Sequence, residues 1–383
     1  MSFEIIIMGD ICLDSSYTNW RCFNKTEMIF HDILPLMKNA DYVIANLEAP
    51  ATFNNQKLNK NSINLKSDPN ILRLMTDCGI RAFSLANNHI LDYGMEGLED
   101  TIRHLKNCGI DYYGIAEKDN RSRPLFIKEK GIVIGIMAFA EQEFNCAVDY
   151  GQGACKWDDI DSILAIREAK DECDYLIIQY HGGIEKYVYP SPMLQKKCRA
   201  MVEAGANFVT CQHSHIIGSK EVWKNASILY GQGNTIFGFS KSDDNWNCGL
   251  VCGITIKKEK GHIVDNITYI PIIATNQGEY LAKGDKKNSI LNQFKSNSSR
   301  LNDLDFIREQ WTSFCRKQSD VYLPMLFGWK LNMIRANRLA KGILVNMLVS
   351  KNQKKNIMNL IRCDAHREVI ETILEDEHYK NYG

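Results

Sequence analysis

The chain has 383 residues, of which 45% are hydrophobic and 24% are charged, a composition typical of soluble globular proteins. Its 46 Lys and Arg residues balance its 46 Asp and Glu residues, so no net charge draws the whole chain to nucleic acid or anionic lipid. We therefore expect no nucleic acid partner. This length fits one large domain with an appendage.

Cysteine usage and the N-terminal sequence indicate a cytoplasmic protein. The 13 cysteines are odd in number and form no CxxC pair, which favours free thiols in a reducing compartment. The start, MSFEIIIMGD, lacks the basic and apolar regions of a secretory signal. No window reaches the roughly 18 apolar residues that a membrane-spanning helix requires.

Segments of strand type and helix type alternate along the first part of the chain. FEIIIMGD predicts a strand, and HDILPLMKNADYVIANLEAP and ILRLMTDCGIRAFSLA each predict a helix followed by a strand. GMEGLEDTIRHLKNCGIDYYG repeats that plan, and PLFIKEKGIVIGIMAFA predicts a hairpin that turns at Glu129–Gly131. DYLIIQYHGG, ANFVTCQHSH and ASILYGQGN predict three more strands. The alternation predicts an α/β fold with a largely parallel sheet at its core.

The C-terminal part has a different composition. Residues 276–320 begin with a stretch rich in Asn, Ser and Lys and are predicted to be a linker or exposed crossover. Residues 321–363 contain eight Lys or Arg and no Asp or Glu, mixed with Leu, Met and Ile. The predicted domains are therefore 1–275, the linker, and a helical extension over 321–383 that ends in a short acidic amphipathic helix.

Side chains that bind metals recur where the predicted strands end. They are Asp10, Glu48, Asn88 with His89, His181, and His213 with His215. Parallel sheets collect ligand sites at the carboxyl ends of their strands. Imidazoles, carboxylates and an amide oxygen suit Mn, Fe or Zn better than Ca or a structural Zn site. Extended backbone between His213 and His215 would point both rings to the same side.

Each of these residues has an ordinary structural interpretation when it is taken alone. Asp10 could cap a helix, the Asn-His pair could form a turn, and Glu48 could be solvated. Asp92 is interpreted as a helix-capping residue, and Cys12 as a buried apolar residue rather than a ligand. The recurrence of such residues at successive strand ends favours a metal site. Two ions bridged by a carboxylate would form a clamp that hydrolyses phosphate esters.

Six motifs connect this site to a family. They are GDICLD, NLEAP, ANNHILDYG, HGGIEKYVYP, CQHSH and LYGQGNTIF, in this order. The series resembles that of the CapA family of bacterial capsule and poly-γ-glutamate synthesis proteins, over roughly residues 3–275. That family in turn resembles calcineurin-like metallophosphoesterases, which implies a four-layer α/β/β/α sandwich with the C-terminal helical extension added. Six motifs in order are specific for the family, although not for an activity.

The resemblance implies roles for individual residues. The implied ligands of two divalent ions (Mn, Fe or Zn) are Asp10 and His215 for one ion, Asn88, His181 and His213 for the other, and Glu48 as the bridge. His89 would be the catalytic acid, with Glu185 as a second catalytic residue and Asn234 at the substrate. For Glu185 a salt bridge is the alternative.

Three positions depart from the expected patterns. Cys12 stands where the phosphoesterase pattern has His, Gln212 stands where the family's His-rich block has His, and Gly183 stands where the HWG pattern has Trp. The first two departures concern how the metal ions are held. The third concerns the family's usual contact with substrate.

These features lead to one main hypothesis and two alternatives. The main hypothesis is a metal-dependent, phosphoesterase-like hydrolase in capsule or exopolymer biosynthesis, with a small-molecule or polymer substrate. The alternatives are a non-enzymatic accessory subunit of a polymer synthase, with capsule-synthesis proteins as partners, and a metal-dependent amide hydrolase acting on a glutamate polymer. Residues 321–363 are interpreted as packing on the main domain or a partner chain, and the alternative is peripheral contact with the inner face of the membrane.

Overall fold

A computed structural model describes residues 2–13, 27–60, 62–117, 119, 121–143, 145–147 and 151–380. The chain divides into two compact units, Met1–Arg308 and Glu309–Gly383. The described strands all lie in the first unit. The predicted site residues lie there as well, so the fold of this unit is what positions the site.

Strands and helices alternate through the first unit, as the sequence predicts. The strands are β1 (Ser2–Ile11), β2 (Tyr42–Leu47), β3 (Ala82–Ser84), β4 (Asp111–Tyr113), β5 (Ile115–Glu117), β6 (Leu125–Glu129), β7 (Ile132–Ala140), β8 (Gln152–Ala154), β9 (Tyr175–His181), β10 (Phe208–Gln212), β11 (Lys220–Trp223), β12 (Ala226–Leu229), β13 (Asn234–Ile236), β14 (Cys248–Glu259), β15 (His262–Thr275) and β16 (Gly278–Leu281). The α-helices of this unit are α1 (Glu27–Phe30), α2 (Leu34–Asn39), α3 (Leu72–Asp77), α4 (Gly94–Asn107), α5 (Asp161–Asp171), α6 (Pro192–Ala204) and α7 (Gly284–Ser298).

The strands form two mixed sheets and one short ribbon. The first sheet has the order β16-β15-β14-β1-β2-β3-β4, with β13 also paired to β1, and β1 to β4 run parallel. The second sheet has the order β11-β12-β10-β9-β7-β6, in which β12, β10, β9 and β7 run parallel. β6 and β7 form the predicted hairpin. β5 and β8 pair separately.

Side-chain alternation in the second sheet shows the layer order. Ile136 and Ile177 belong to the core cluster that also contains the first sheet and helices α2 to α4. Their chain neighbours Met137 and Ile178 belong to a second cluster, which includes Met201 of α6. Because successive residues of a strand point to opposite faces, the second sheet lies between the first sheet and its own helices. The predicted α/β/β/α order is thus confirmed.

The unit boundary differs from the predicted one. Residues 276–308, predicted to be part of a linker, contain β16 and α7 and belong to the first unit. The segment looks like a linker in the sequence because α7 is mostly exposed and buries little besides Phe294 and Asn297. Phe294 packs in the main core cluster, with its ring 5.4 Å from that of Tyr269.

The second unit is helical, as predicted, as far as the structure describes it. Its helices are α8 (Leu304–Leu326, which begins just before the unit boundary), α9 (Leu331–Leu339), α10 (Ile343–Leu348), α11 (Lys351–Arg362) and α12 (Asp364–Lys380). Residues 381–383 of the predicted extension lie outside the described residues. None of the described helices combines the length and the apolar character needed to cross a bilayer.

Phe294→Ala tests whether α7 belongs to the first unit. We expect the free energy of unfolding to fall by about 3–5 kcal/mol, because the substitution leaves a cavity in the core. Lys295→Ala, on the exposed side of the same helix, should change it by less than about 0.5 kcal/mol. Denaturant titration measures both, and equal stability of the two variants would contradict the packing.

Candidate metal centre

The two sheets bring the predicted ligands together at the carboxyl ends of their parallel strands. Asp10 lies near the end of β1, Glu48 directly follows β2, and His181 ends β9. His213 and His215 follow the end of β10. These five side chains are separated by up to 205 positions in the sequence, yet all are buried in one place.

Two groups of side chains at this site could each hold a metal ion, and Glu48 is common to both. One group is Glu48, His181 and His213, and the other is Asp10, Glu48 and His215. Within each group the ligand atoms lie within 4.8 Å of one another. Glu48 Oε1 is 3.4 Å from His181 Nε2 and 3.6 Å from His215 Nε2. Glu48 is therefore a carboxylate that could ligate an ion in either group.

Asn88 joins the first group through its amide oxygen. Its Oδ1 lies 3.0 Å from His181 Nε2, the same nitrogen that faces Glu48. Asn88 is buried and follows β3, the strand next to β2 in the first sheet. An amide oxygen, a carboxylate and two imidazoles thus face a common point, which is a donor set suited to Mn, Fe or Zn.

Unsatisfied polar atoms show that these residues fit a cation. Both carboxylate oxygens of Glu48 and Nδ1 of His213 are buried and form no hydrogen bond within the described part of the chain. Gln212 is paired with His181 across the sheet, and its side-chain amide is also buried without a hydrogen-bond partner in the described part of the chain. Buried polar groups almost always have partners, so a buried carboxylate without one fits a bound cation well.

The pKa values of the site residues are also those expected of side chains that could hold a cation. Burial, together with the neighbouring Glu48 carboxylate, raises the pKa of Asp10 to about 8. Burial also raises the pKa of Glu48 well above its usual range. Burial lowers the pKa of His213 well below its usual range and that of His215 to about 3. The imidazoles are therefore neutral, as metal ligands must be, and a cation would offset the cost of charging the two carboxylates.

Asn46 holds Asp10 and His181 in position, and the sequence analysis missed it. Its Nδ2 donates to Asp10 Oδ1 at 2.9 Å and lies 3.3 Å from His181 Nδ1. Its Oδ1 accepts a hydrogen bond from Asn87 Nδ2 at 3.2 Å. The only signal in the sequence is a polar residue within the otherwise apolar strand YVIANL.

Asn234 has a different contact from the predicted one. Its Oδ1 lies 2.9 Å from Nδ1 of His215, and its Nδ2 donates to the backbone oxygens of His215 and Trp246. Its amide is thus occupied by the protein rather than directed at a substrate. Because a carbonyl oxygen only accepts, Nδ1 of His215 carries the proton and Nε2 is left to face Glu48.

The backbone around the His-x-His motif is not extended, so the predicted reason for its geometry is wrong. His213 and His215 both have positive φ, 83° and 56°. β10 has ended at Gln212, and a turn rather than strand alternation aims the two rings. The turn places one histidine in each group, with ring centroids 6.0 Å apart.

His89, the predicted acid, is held by a buried ion pair. Its Nδ1 lies 2.7 Å from Asp92 Oδ2, and Asp92 also pairs with Lys60 and accepts from the backbone nitrogen of Leu65. Asp92 does not cap α4, because the residue at that helix start is Tyr93 and it makes no side-chain cap. The helix-capping interpretation of Asp92 is therefore wrong.

Carboxylates also surround the site. Glu185 is exposed on the loop after β9, and its charge contributes to the raised pKa of Glu48, after the larger effect of burial. Glu143, which the sequence analysis missed, has Oε2 3.5 Å from Asn88 Nδ2 and Oε1 4.0 Å from His213 Nε2. No motif marks Glu143, which lies in the loop after β7.

Cys12 is buried, as predicted. It packs in a small apolar cluster with Ala49 and Phe237. The Phe237 ring lies 4.4 Å from that of His215. Cys12 therefore adds to the apolar wall beside His215.

The comparison with protein families decides which family this is. The family described as "Bacterial capsule synthesis protein PGA_cap" matches residues 4–239, more than half of the chain. The chain belongs to this family. The match includes every residue of both ligand groups.

Two relatives of this chain are named for capsule or PGA biosynthesis. "Capsule biosynthesis protein CapA" of Bacillus anthracis is 30% identical over 233 residues, 57% of this chain and 56% of the relative. "PGA biosynthesis protein CapA" of Bacillus subtilis (strain 168) is 28% identical over 245 residues, 62% of this chain and 64% of the relative. The chain thus matches less than two thirds of the length of either relative.

Solved structures give only distant likenesses. A hypothetical protein from Thermus thermophilus has a TM-score of 0.42 and 13% identity over 70% of this chain and 99% of that chain. Vps29 from Entamoeba histolytica has a TM-score of 0.22 and 10% identity over the same shares. At these TM-scores neither likeness bears on function.

Asp10 makes the stability of the metal-free protein depend on pH. Asp10 keeps its proton in the folded chain to about pH 8, whereas an unfolded aspartate loses it near its ordinary 3.8. The folded state binds more protons between these values, so the free energy of unfolding should fall as pH rises, by up to about 1.4 kcal/mol per pH unit. When the protein is unfolded with denaturant in the presence of a chelator across this pH range, the free energy of unfolding should fall less steeply with pH for Asp10→Asn than for the wild type. The exposed control Asp171→Asn should keep the wild-type slope, and equal slopes in all three proteins would contradict the assignment.

Proposed function

We propose that the chain is a dinuclear metal-dependent hydrolase that cleaves a phosphoester during synthesis of a bacterial capsule or exopolymer. The observation that carries this proposal is Glu48, a buried carboxylate shared by both ligand groups with neither oxygen hydrogen-bonded within the described chain. A carboxylate suits a bridging role because it offers two oxygens and offsets charge between two cations. The family supports the connection with capsule synthesis.

The protein supplies an ordered set of donor atoms. Two divalent ions held there would supply the positive charge that stabilises a phosphoryl group during displacement. Asn234 keeps His215 in the tautomer that leaves Nε2 facing Glu48, and Asn46 fixes the carboxylate of Asp10. Because these partners are themselves buried, the donor atoms are positioned before any ion or substrate arrives.

His89 would deliver the proton to the leaving oxygen. Asp92 accepts from its Nδ1, which leaves Nε2 as the nitrogen that exchanges a proton with substrate. Burial has the largest effect on the pKa of His213 and His215, and a positive charge on His89 would lower both pKa values further. Lys60 pairs with Asp92, the same carboxylate that contacts His89.

Metal content tests the two-ion arrangement. We expect about two transition-metal ions per wild-type chain, fewer in His213→Ala and Asp10→Ala, and almost none in Glu48→Ala, because Glu48 belongs to both groups. His262→Ala, an exposed histidine on β15, should keep the wild-type content. Elemental analysis after gel filtration measures this, and a Glu48→Ala protein that retains two ions would refute a bridging role.

The leaving group of the substrate tests His89. We expect His89→Ala to lower kcat by about 10²–10⁴-fold on an alkyl phosphoester and far less on a p-nitrophenyl ester, whose leaving group needs no proton. Asp92→Asn should show the same pattern in a weaker form. Metal content serves as the control and should not change. Equal losses on both esters would contradict a role as acid.

An amide hydrolase is a second candidate, supported by the charges around the site. Glu143 and Glu185 add negative charge near the ligands, which repels an anionic phosphoryl group at the centre more than the uncharged carbonyl of an amide. The carboxylates of a glutamate polymer would have to lie away from these two residues. The alternative substrate is an amide bond in a glutamate polymer. Glu143→Gln separates the candidates: it should improve KM for a phosphoester by reducing repulsion, and should lower kcat if Glu143 serves as base in amide cleavage.

A non-enzymatic accessory role is supported by one relative. "Probable polyglutamine synthesis accessory protein Rv0574c" of Mycobacterium tuberculosis is 24% identical over 221 residues. In that role the chain would act with other capsule-synthesis proteins as partners. Metal-loaded protein that cleaves neither phosphoesters nor amides, and that co-purifies with a synthase, would favour this function over hydrolysis.

A further inference from the structure

The second unit exposes an unusual amount of apolar surface. More than half of the large exposed apolar side chains lie in it, although it is only about a fifth of the chain. Leu339 and Met347 are 87% and 77% exposed, close to what an isolated helix would show. Within residues 321–363 the exposed set is Tyr322, Met325, Leu326, Leu331, Met333, Leu339, Ile343, Leu344, Met347, Leu348, Met358, Leu360 and Ile361. Apolar exposure on this scale is typical of an interaction surface.

The same stretch is strongly basic. Residues 321–363, here called the basic segment, contain eight Lys or Arg and no Asp or Glu. Its cations are Lys330, Arg335, Arg338, Lys341, Lys351, Lys354, Lys355 and Arg362. The whole chain has no net charge, so the positive charge is a local feature of this segment rather than a general property. A partner of the basic segment must therefore be anionic and must also accept apolar side chains.

Helix α11 shows how the two kinds of side chain are arranged. One stripe along the helix contains Ile357, Leu360 and Ile361. The adjoining stripe contains Lys351, Lys355, Met358 and Arg362. These positions follow the spacing of three and four residues that places side chains on one side of a helix. No residue of α11 is fully buried, although Ile357 is partly covered and the helix contacts α12, so most of both stripes is exposed. Cations that flank an apolar stripe are typical of helices lying in a membrane interface.

We propose that the basic segment binds peripherally to the surface of an anionic phospholipid bilayer. The apolar side chains of α9, α10 and α11 would enter the boundary between headgroups and acyl chains, while the Lys and Arg side chains contact lipid phosphates. Because no described helix can span a bilayer, the contact is with the surface. Pairing of two basic segments is disfavoured, because it would bring eight cations against eight. The acidic helix α12 of a second copy is the remaining protein occupant, and the dimer measurement below distinguishes it from a bilayer.

Vesicle sedimentation with the full chain tests this proposal. The protein should sediment with vesicles of phosphatidylcholine mixed with phosphatidylglycerol, should not sediment with phosphatidylcholine alone, and should be released in part by salt. The double variant Lys351→Gln/Lys355→Gln should lower the partition coefficient about 25-fold, since each cation contributes about fivefold. The matched control Lys241→Gln/Lys287→Gln, on exposed sites of the first unit, should bind as the wild type does.

A second variant separates membrane insertion from simple charge attraction. Leu360→Asn/Ile361→Asn keeps every cation, and it should weaken binding to the mixed vesicles and make the remaining binding fully salt-sensitive. Three results would overturn the proposal: no binding to mixed vesicles, equal binding to both vesicle types, or binding to soluble polyglutamate that excludes vesicles. Concentration-dependent dimers that both double variants abolish would instead identify a second copy as the occupant. Metal content is not involved, so the outcome is independent of the proposed hydrolase function.

Discussion

The site depends on one buried carboxylate. Glu48 follows β2 and lies between His181 of the second sheet and His215 beyond β10, with both oxygens buried and neither hydrogen-bonded within the described residues. Without a cation, a charged carboxylate there would be costly, and its raised pKa shows this. The facing sheets, the strand ends and the histidine turn all serve to place ligands around this one group.

The free energy required to bury the charged carboxylate of Glu48 accounts for several other features of the fold. Asn46 and Asn234 use their amides to hold the carboxylate of Asp10 and the ring of His215 beside Glu48. The positive φ angles of His213 and His215 are unusual for side chains with a Cβ, and they aim one ring into each ligand group. Local strain and unsatisfied polar atoms therefore occur together, as they do at functional sites.

The sequence predicted the elements and the side chains that gather at the strand ends, but not the contacts between them. Asp10, His181 and His213 were found because each stands where an apolar strand ends, a pattern visible along the chain. Asn46 was missed because it lies inside a strand and carries no periodic signal. Lys60 was missed because its contact with Asp92 joins two loops that are distant in the sequence. The turn at His213 was misjudged because backbone φ is set by packing, and the segment of α7 was misjudged because a mostly exposed helix has the composition of a linker.

The most direct test of this account is to locate the ions. Crystals grown with Mn and measured at its absorption edge should show two anomalous peaks about 3.5–4 Å apart, one on each side of the Glu48 carboxylate. The first should lie among Asn88, His181 and His213, and the second beside Asp10 and His215. A single peak that does not contact Glu48, or no peak with Glu48 hydrogen-bonded to the protein, would contradict the central role of this residue.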